Sequence, residues 1–186
     1  MKVGLIGVGL MNGSLAMDMQ SVYDTVSIHG ISRRETTLQR ALDLGVIDYK
    51  ATLVDLSEMD LVSIAIPVEA TESLLPKVLD AVGSNTLVID MGSTKAGICE
   101  AVAEHPKRNQ FLACHPIAGT EFSGPEAAIR GLYKGKVNML CESNKTRPDL
   151  LDRALSIFTS LGMVIREIDP LEHDRHIAVS YTHLRA

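Results

Sequence analysis

Three glycines within seven residues, Gly7, Gly9 and Gly13, follow the apolar run Val3, Leu5, Ile6 and lead into a helical pattern beginning Ser14, Leu15, Ala16, Met17. Strand, glycine turn and helix in that order can cradle a dinucleotide. The first glycine makes the turn, the second lets backbone approach a pyrophosphate, and the third permits close helix–strand packing. The free N–H groups and dipole of the helix start favour that anion. Gly7, Gly9, Leu10 and Gly13 are the candidate cofactor residues here. Asn12 stands where the third glycine belongs and Gly13 comes one place late, a departure that predicts a looser helix–strand contact. A turn without ligand is the plain alternative, but each glycine costs backbone entropy that an ordinary turn avoids.

Further polar residues gather where other apolar runs end. Ser32, Arg33 and Arg34 close the run Val26–Ile31, about 25 residues beyond the first glycine, where an acidic residue would bind the ribose hydroxyl of NAD and arginine the 2′-phosphate of NADP. No carboxylate appears until Glu35, so the stretch favours NADP over NAD. The opposing reading is a solvated face, with Ser32 capping the next helix. Pro67 ends a third run, and Gly92-Ser93-Thr94-Lys95 a fourth. Ser93 and Thr94 can hydrogen-bond a nicotinamide ribose or a substrate, or else cap the helix beginning near Lys95. His115 follows the fifth run and opens a stretch through Glu126 that is too polar and glycine-rich for an ordinary connector. An imidazole titrates near working pH, so this histidine can take the proton of an alcohol whose hydride leaves to nicotinamide; Glu121 lies six residues on.

The elements that must position these residues alternate. Apolar strands at Val26–Ile31, Leu61–Ile66, Thr86–Asp90, Phe111–Cys114, Val137–Cys141 and Met163–Ile168 are separated by helical patterns, among them Glu69–Val82 with Pro76 inside, Ala96–Glu104 and Leu150–Leu161. Such alternation predicts an α/β fold with a doubly wound, Rossmann-like, mostly parallel sheet, its ligands at the carboxyl ends of the strands. Five strand ends would then meet at one crevice.

Composition narrows the field. Hydrophobic residues make up 46% and charged residues 22%, and the net charge of -5 argues against nucleic-acid binding. No apolar run reaches the ~18 residues of a membrane span, and the first apolar stretch, broken by glycines, is no secretory leader. A cytoplasmic protein is expected. Cys99, Cys114 and Cys141 are far apart in apolar surroundings and read as buried small hydrophobes, neither disulfide framework nor zinc site. His173 and His176 are three apart on a helical pattern, but no carboxylate or cysteine cluster joins them, so no metal is expected.

The motifs together resemble those of prephenate dehydrogenases. The residues that carry the likeness are Gly7-Val8-Gly9-Leu10 through Gly13-Ser14-Leu15-Ala16, Asp90-Met91-Gly92-Ser93-Thr94-Lys95, the His115–Glu126 run, and Glu172-His173-Asp174, over roughly residues 1 to 179. The resemblance implies oxidation of prephenate at its ring hydroxyl, hydride transfer to NAD or NADP, and loss of the ring carboxylate as CO2 to give 4-hydroxyphenylpyruvate for tyrosine synthesis. It implies that His115 binds and deprotonates the ring hydroxyl, that Ser93 stands between nicotinamide and substrate, and that Thr120 and Glu121 line the substrate pocket.

The family continues into an all-helical domain that completes the pocket, supplies an arginine for the ring carboxylate and makes a homodimer. The resemblance therefore implies a dinucleotide-binding domain over residues 1–168 and the start of a truncated helical domain over 169–186. A family Ser-His-x-x-His pattern is missing, since Tyr181, Thr182 and His183 follow Ser180. The stretch from about Tyr181 to Ala186 accordingly reads as foreign to the native chain. Arogenate dehydrogenase, another small-acid dehydrogenase, and a non-catalytic nucleotide-binding regulatory module are the alternatives. The last has no reason to place histidine, threonine and glutamate beside a nicotinamide, and fold alone does not choose among them.

Overall fold

Runs such as Leu61-Val62-Ser63-Ile64 and Leu87-Val88-Ile89-Asp90 are buried at every position, as strands covered on both faces must be. A computed structural model describes residues 1–183, with side chains through residue 178, and the reading of Tyr181 to Ala186 as foreign falls outside those described side chains. In chain order the elements are β1 (Lys2–Ile6), α1 (Leu10–Val22), β2 (Ser27–Ile31), α2 (Glu35–Asp43), β3 (Tyr49–Lys50), β4 (Leu61–Ile64) and α3 (Val68–Ala81). There follow β5 (Leu87–Asp90), α4 (Ala96–Glu100), β6 (Phe111–Pro116), β7 (Val137–Cys141), α5 (Pro148–Ser160), β8 (Val164–Glu167) and α6 (Pro170–His183).

The strands form one eight-stranded sheet in the order β3-β2-β1-β4-β5-β6-β7-β8. All neighbours are parallel except β6 with β7. This is the doubly wound, Rossmann-like α/β architecture expected, with its switch point between β1 and β4. One apolar core, including Leu15, Met19, Ile28, Leu112 and Phe158, fills one face. A second, including Leu75, Val78, Val88, Ile98 and Phe111, fills the other.

Helix α1 is buried almost all round because it packs between the sheet and the segment that returns from β6. Ser14 Oγ accepts from Ile129 N (2.9 Å), Asp18 Oδ1 accepts from Gly131 N (2.6 Å), and Tyr133 Oη donates to Met11 O (2.6 Å). A Cβ on Gly13 would stand 2.8 Å from that of Ala128. The late glycine thus makes room for the return segment.

Several boundaries differ from the sequence reading. Helix α4 stops at Glu100 because Val102 N and Ala103 N bond three residues back, to Cys99 O and Glu100 O, and tighten the chain into turns. Strand β6 runs on to Pro116, since antiparallel β7 pairs with it and sets Met139 opposite His115. His115 therefore lies on a strand and not at the head of a loop. The three cysteines are buried and free, and burial pushes the thiols of Cys99 and Cys141 up to about 12. Among the described residues no helix is long and apolar enough to cross a membrane.

Candidate functional site

Gly7 has φ 83°, and a Cβ there would stand 2.5 Å from Ala65 O and 2.7 Å from Ile66 Cγ2, at the end of β4. Only glycine passes between these strands. At Gly9 a Cβ would meet nothing within 4 Å, so the backbone faces open space. The start of α1 beyond it has no side-chain cap and no acidic residue in its first turn. Open backbone and uncapped amides fit a pyrophosphate. Leu10 is buried beneath the turn.

Asn12 corrects an expectation. It does not loosen the helix but fastens it. Its Nδ2 reaches Ile6 O (3.1 Å), Gly7 O (2.9 Å) and Ser63 O (3.1 Å), and its Oδ1 accepts from Ser63 Oγ (2.7 Å). Asn12→Gly, although it supplies the fingerprint residue, is expected to destabilise the chain by about 2–4 kcal/mol. Glycine inside a helix costs about 1 kcal/mol and the buried Ser63 hydroxyl left without its acceptor the rest. A urea midpoint unchanged by the substitution would refute this clamp.

At the end of β2, Arg33 and Arg34 are exposed, with no ion pair among the described residues. Ser32 does not cap α2: its Oγ accepts from Arg34 N (3.2 Å), while α2 starts after Arg34 with no side-chain cap. Glu35 is bound by Lys50 Nζ (2.5 Å), which also donates to Gln39 Oε1 (2.8 Å). Pro67 is exposed at the start of α3.

The ends of β5 and β6 are joined by a fully buried ion pair, Lys95 Nζ with Asp90 Oδ2. The same ammonium donates to Cys114 O (2.7 Å), and Asp90 accepts from Cys114 N (3.1 Å) and Gly92 N (2.8 Å). Ser93 and Thr94, half-buried, do not cap α4. Asp174 from α6 does so, accepting from Lys95 N (2.7 Å) and Ala96 N (2.9 Å).

The Asp174 carboxylate also begins a row of imidazoles. His173 Nδ1 lies 2.7 Å from Asp174 Oδ1, and His173 Nε2 lies 2.8 Å from His115 Nδ1. Burial above all, then His173 and Lys95, pushes the pKa of His115 down to about 4, against a smaller opposing pull from Asp174. Its ring is uncharged at neutral pH. Thr120 and Glu121 are exposed on the loop beyond β6; Thr120 Oγ1 accepts from Phe122 N (3.2 Å), and no hydrogen bond brings either residue to His115. His176 stands beside Glu172 (3.7 Å).

The sequence singles out His115 and Ser93, gives Asn12 the opposite effect from the one its bonds have, and assigns no part to the Asp90–Lys95 pair or to the His173–Asp174 contact. The available signal was a lysine five residues after an aspartate that ends a buried strand, since charge in apolar surroundings needs a partner.

A model of the family described as prephenate dehydrogenase, nucleotide-binding domain, matches residues 15–167. A prephenate dehydrogenase of Bacillus subtilis is 31% identical over 174 residues, 91% of this chain and 47% of the relative. The chain spans about half the length of the curated relatives it matches. Among solved structures, a prephenate dehydrogenase from A. aeolicus in complex with hydroxyphenyl propionate and NAD+ superposes with a TM-score of 0.88 at 27% identity, over 99% of this chain and 68% of that one. Synechocystis arogenate dehydrogenase gives 0.86 at 27% identity, over 96% and 63%. The family model covers most of the chain and the sheet carries the expected switch point, so the chain belongs to the prephenate dehydrogenase nucleotide-binding domain family.

Proposed function

We propose that this chain is the cofactor-binding part of an NAD(P)-dependent prephenate dehydrogenase, which oxidises and decarboxylates prephenate to 4-hydroxyphenylpyruvate. The observation that carries the reading is His115 near the carboxyl end of β6, the same end of the parallel sheet at which β1 runs into the Gly9 turn and β5 toward Ser93.

When bound, the nicotinamide supplies the two-electron acceptor. His115 takes the proton of the ring hydroxyl as the C–H electron pair leaves. The bond from ring to carboxylate then breaks, its electrons aromatise the ring, and the resulting phenolate takes the proton back from His115. Atoms balance without net proton release. Ser93, whose hydroxyl no cap employs, stands between cofactor and substrate, and Thr120 and Glu121 border the substrate. Residues 1–168 form the nucleotide domain, and residues from 169 open a helical domain that completes the pocket and the homodimer. The family likeness supports this division. A cytoplasmic setting suits the three free thiols.

NADP is the preferred cofactor. Two unpaired guanidiniums follow β2, and the first carboxylate after them is already held by Lys50. Calorimetric titration of the chain with NADP and NAD is expected to show tighter NADP binding. Arg33→Ala should weaken NADP by about tenfold, ~1.4 kcal/mol, and leave NAD unchanged. Tighter NAD binding would return both arginines to solvent, and binding of neither would remove the dehydrogenase reading.

A further inference from the structure

His115 alone is a poor store for a proton. Burial disfavours a charge on its ring, and the Lys95 ammonium repels one. Its inward neighbour is better served. His173 is fully buried, and its Nδ1 lies 2.7 Å from an Asp174 oxygen. An ionised carboxylate only accepts, and Asp174 already accepts from Lys95 N and Ala96 N, so the proton between it and His173 belongs to His173 Nδ1. Nε2 of neutral His173 is then bare. The proton in the 2.8 Å bond between the rings must therefore sit on His115 Nδ1, which leaves Nε2 of His115 as the free lone pair. The carboxylate at one end sets the tautomer at the other. Among the described residues, charged groups facing the two rings include Lys95, with its partner Asp90 on β5, and Asp174 on α6.

We propose that His115, His173 and Asp174 form a two-histidine proton relay, in which a proton taken up at His115 Nε2 is matched by passage of the His115 Nδ1 proton to Nε2 of His173. The positive charge then rests on His173, against the Asp174 carboxylate. In bonds, the substrate O–H breaks and Nε2–H forms on His115, while Nδ1–H of His115 breaks and Nε2–H of His173 forms. Electrons from the C–H bond go to the nicotinamide. Once CO2 has left, both transfers reverse and the phenolate regains its proton. His173 and Asp174 act through His115 and are positioning residues. Because Asp174 also caps α4, the same carboxylate holds the backbone just beyond Ser93.

The relay rests on His115 being the base, and it is tested on this chain without substrate. Nitrogen-15 NMR of labelled histidine reads the protonation of each ring nitrogen. At neutral pH both rings are expected to carry their proton on Nδ1. On acidification from about pH 8 towards about pH 4, the first proton bound should make His173 doubly protonated and, in the same step, move the single proton of His115 from Nδ1 to Nε2. Asp174→Asn should push that step at least about tenfold in acidity toward lower pH. Double protonation of His115 while His173 stays singly protonated would overturn the relay, as would an unshifted step in the variant. Resting protonation of His115 on Nε2 would do so at neutral pH, should acid unfold the chain first. Titration of the same sample with NADP and NAD keeps the readings apart, because failure to bind either removes the dehydrogenase assignment whatever the order of protonation.

Discussion

Replacing His115 by alanine, in a protein of the length its relatives have, is expected to lower turnover by about 10²–10⁴-fold, the usual worth of a positioned acid–base group. NAD(P) affinity should be nearly unchanged. The proposed cofactor contacts are the glycine turn and the end of β2, whereas His115 is anchored on β6 and through α6. In the proposed relay the variant loses the lone pair left free on His115 Nε2. Loss confined to turnover, with cofactor dissociation constants preserved by calorimetry, is the result that supports the role. Undiminished turnover would remove His115 from the chemistry.

The largest expected effect on stability comes from Lys95→Met. Lys95 and Asp90 are both fully buried, and removing one partner strands the other's charge inside the protein. Such a loss typically costs about 3–5 kcal/mol, against a total stability of about 5–15 kcal/mol for a domain. Lys95 also holds Cys114 O, so the ends of β5 and β6 should loosen together and carry His115 with them. The double variant Asp90→Asn/Lys95→Met should recover part of the loss, because the stranded charge is gone. Urea unfolding with an unchanged slope would read both. A single-variant cost below about 1 kcal/mol would show that the pair does not brace these strand ends.

What could be read from sequence was what short range determines. The Gly7–Gly9 turn declares itself because a strand must stop and a helix start within a few residues. His115 and Ser93 stand out as candidates because in a parallel sheet ligands gather where strands end. The fastening role of Asn12 is hidden in the sequence because Ser63, which supplies its acceptor and its donor across the sheet, is 51 positions away, although Ile6 and Gly7 are near. His173 and Asp174 stood in a quoted motif without a role, since His115 lies 58 positions before His173 and no local pattern announces that contact. Strand β3 holds two residues, too few for any periodicity to register. The direction of β7 was equally hidden, for an apolar run has the same appearance whichever way it is paired. Ser93 and Thr94 looked like helix caps because those side chains often are, and only the approach of α6 supplies the better acceptor.

The bonds from residues 129–133 to α1 have an evolutionary consequence. The exposed stretch 119–123 is pinned by β6 before it and by α1 shortly after it. Insertions, deletions and side-chain changes there transmit little strain to the Gly7–Gly13 turn. A lineage with this architecture can revise that exposed loop while keeping the packing of α1 and its glycine turn intact.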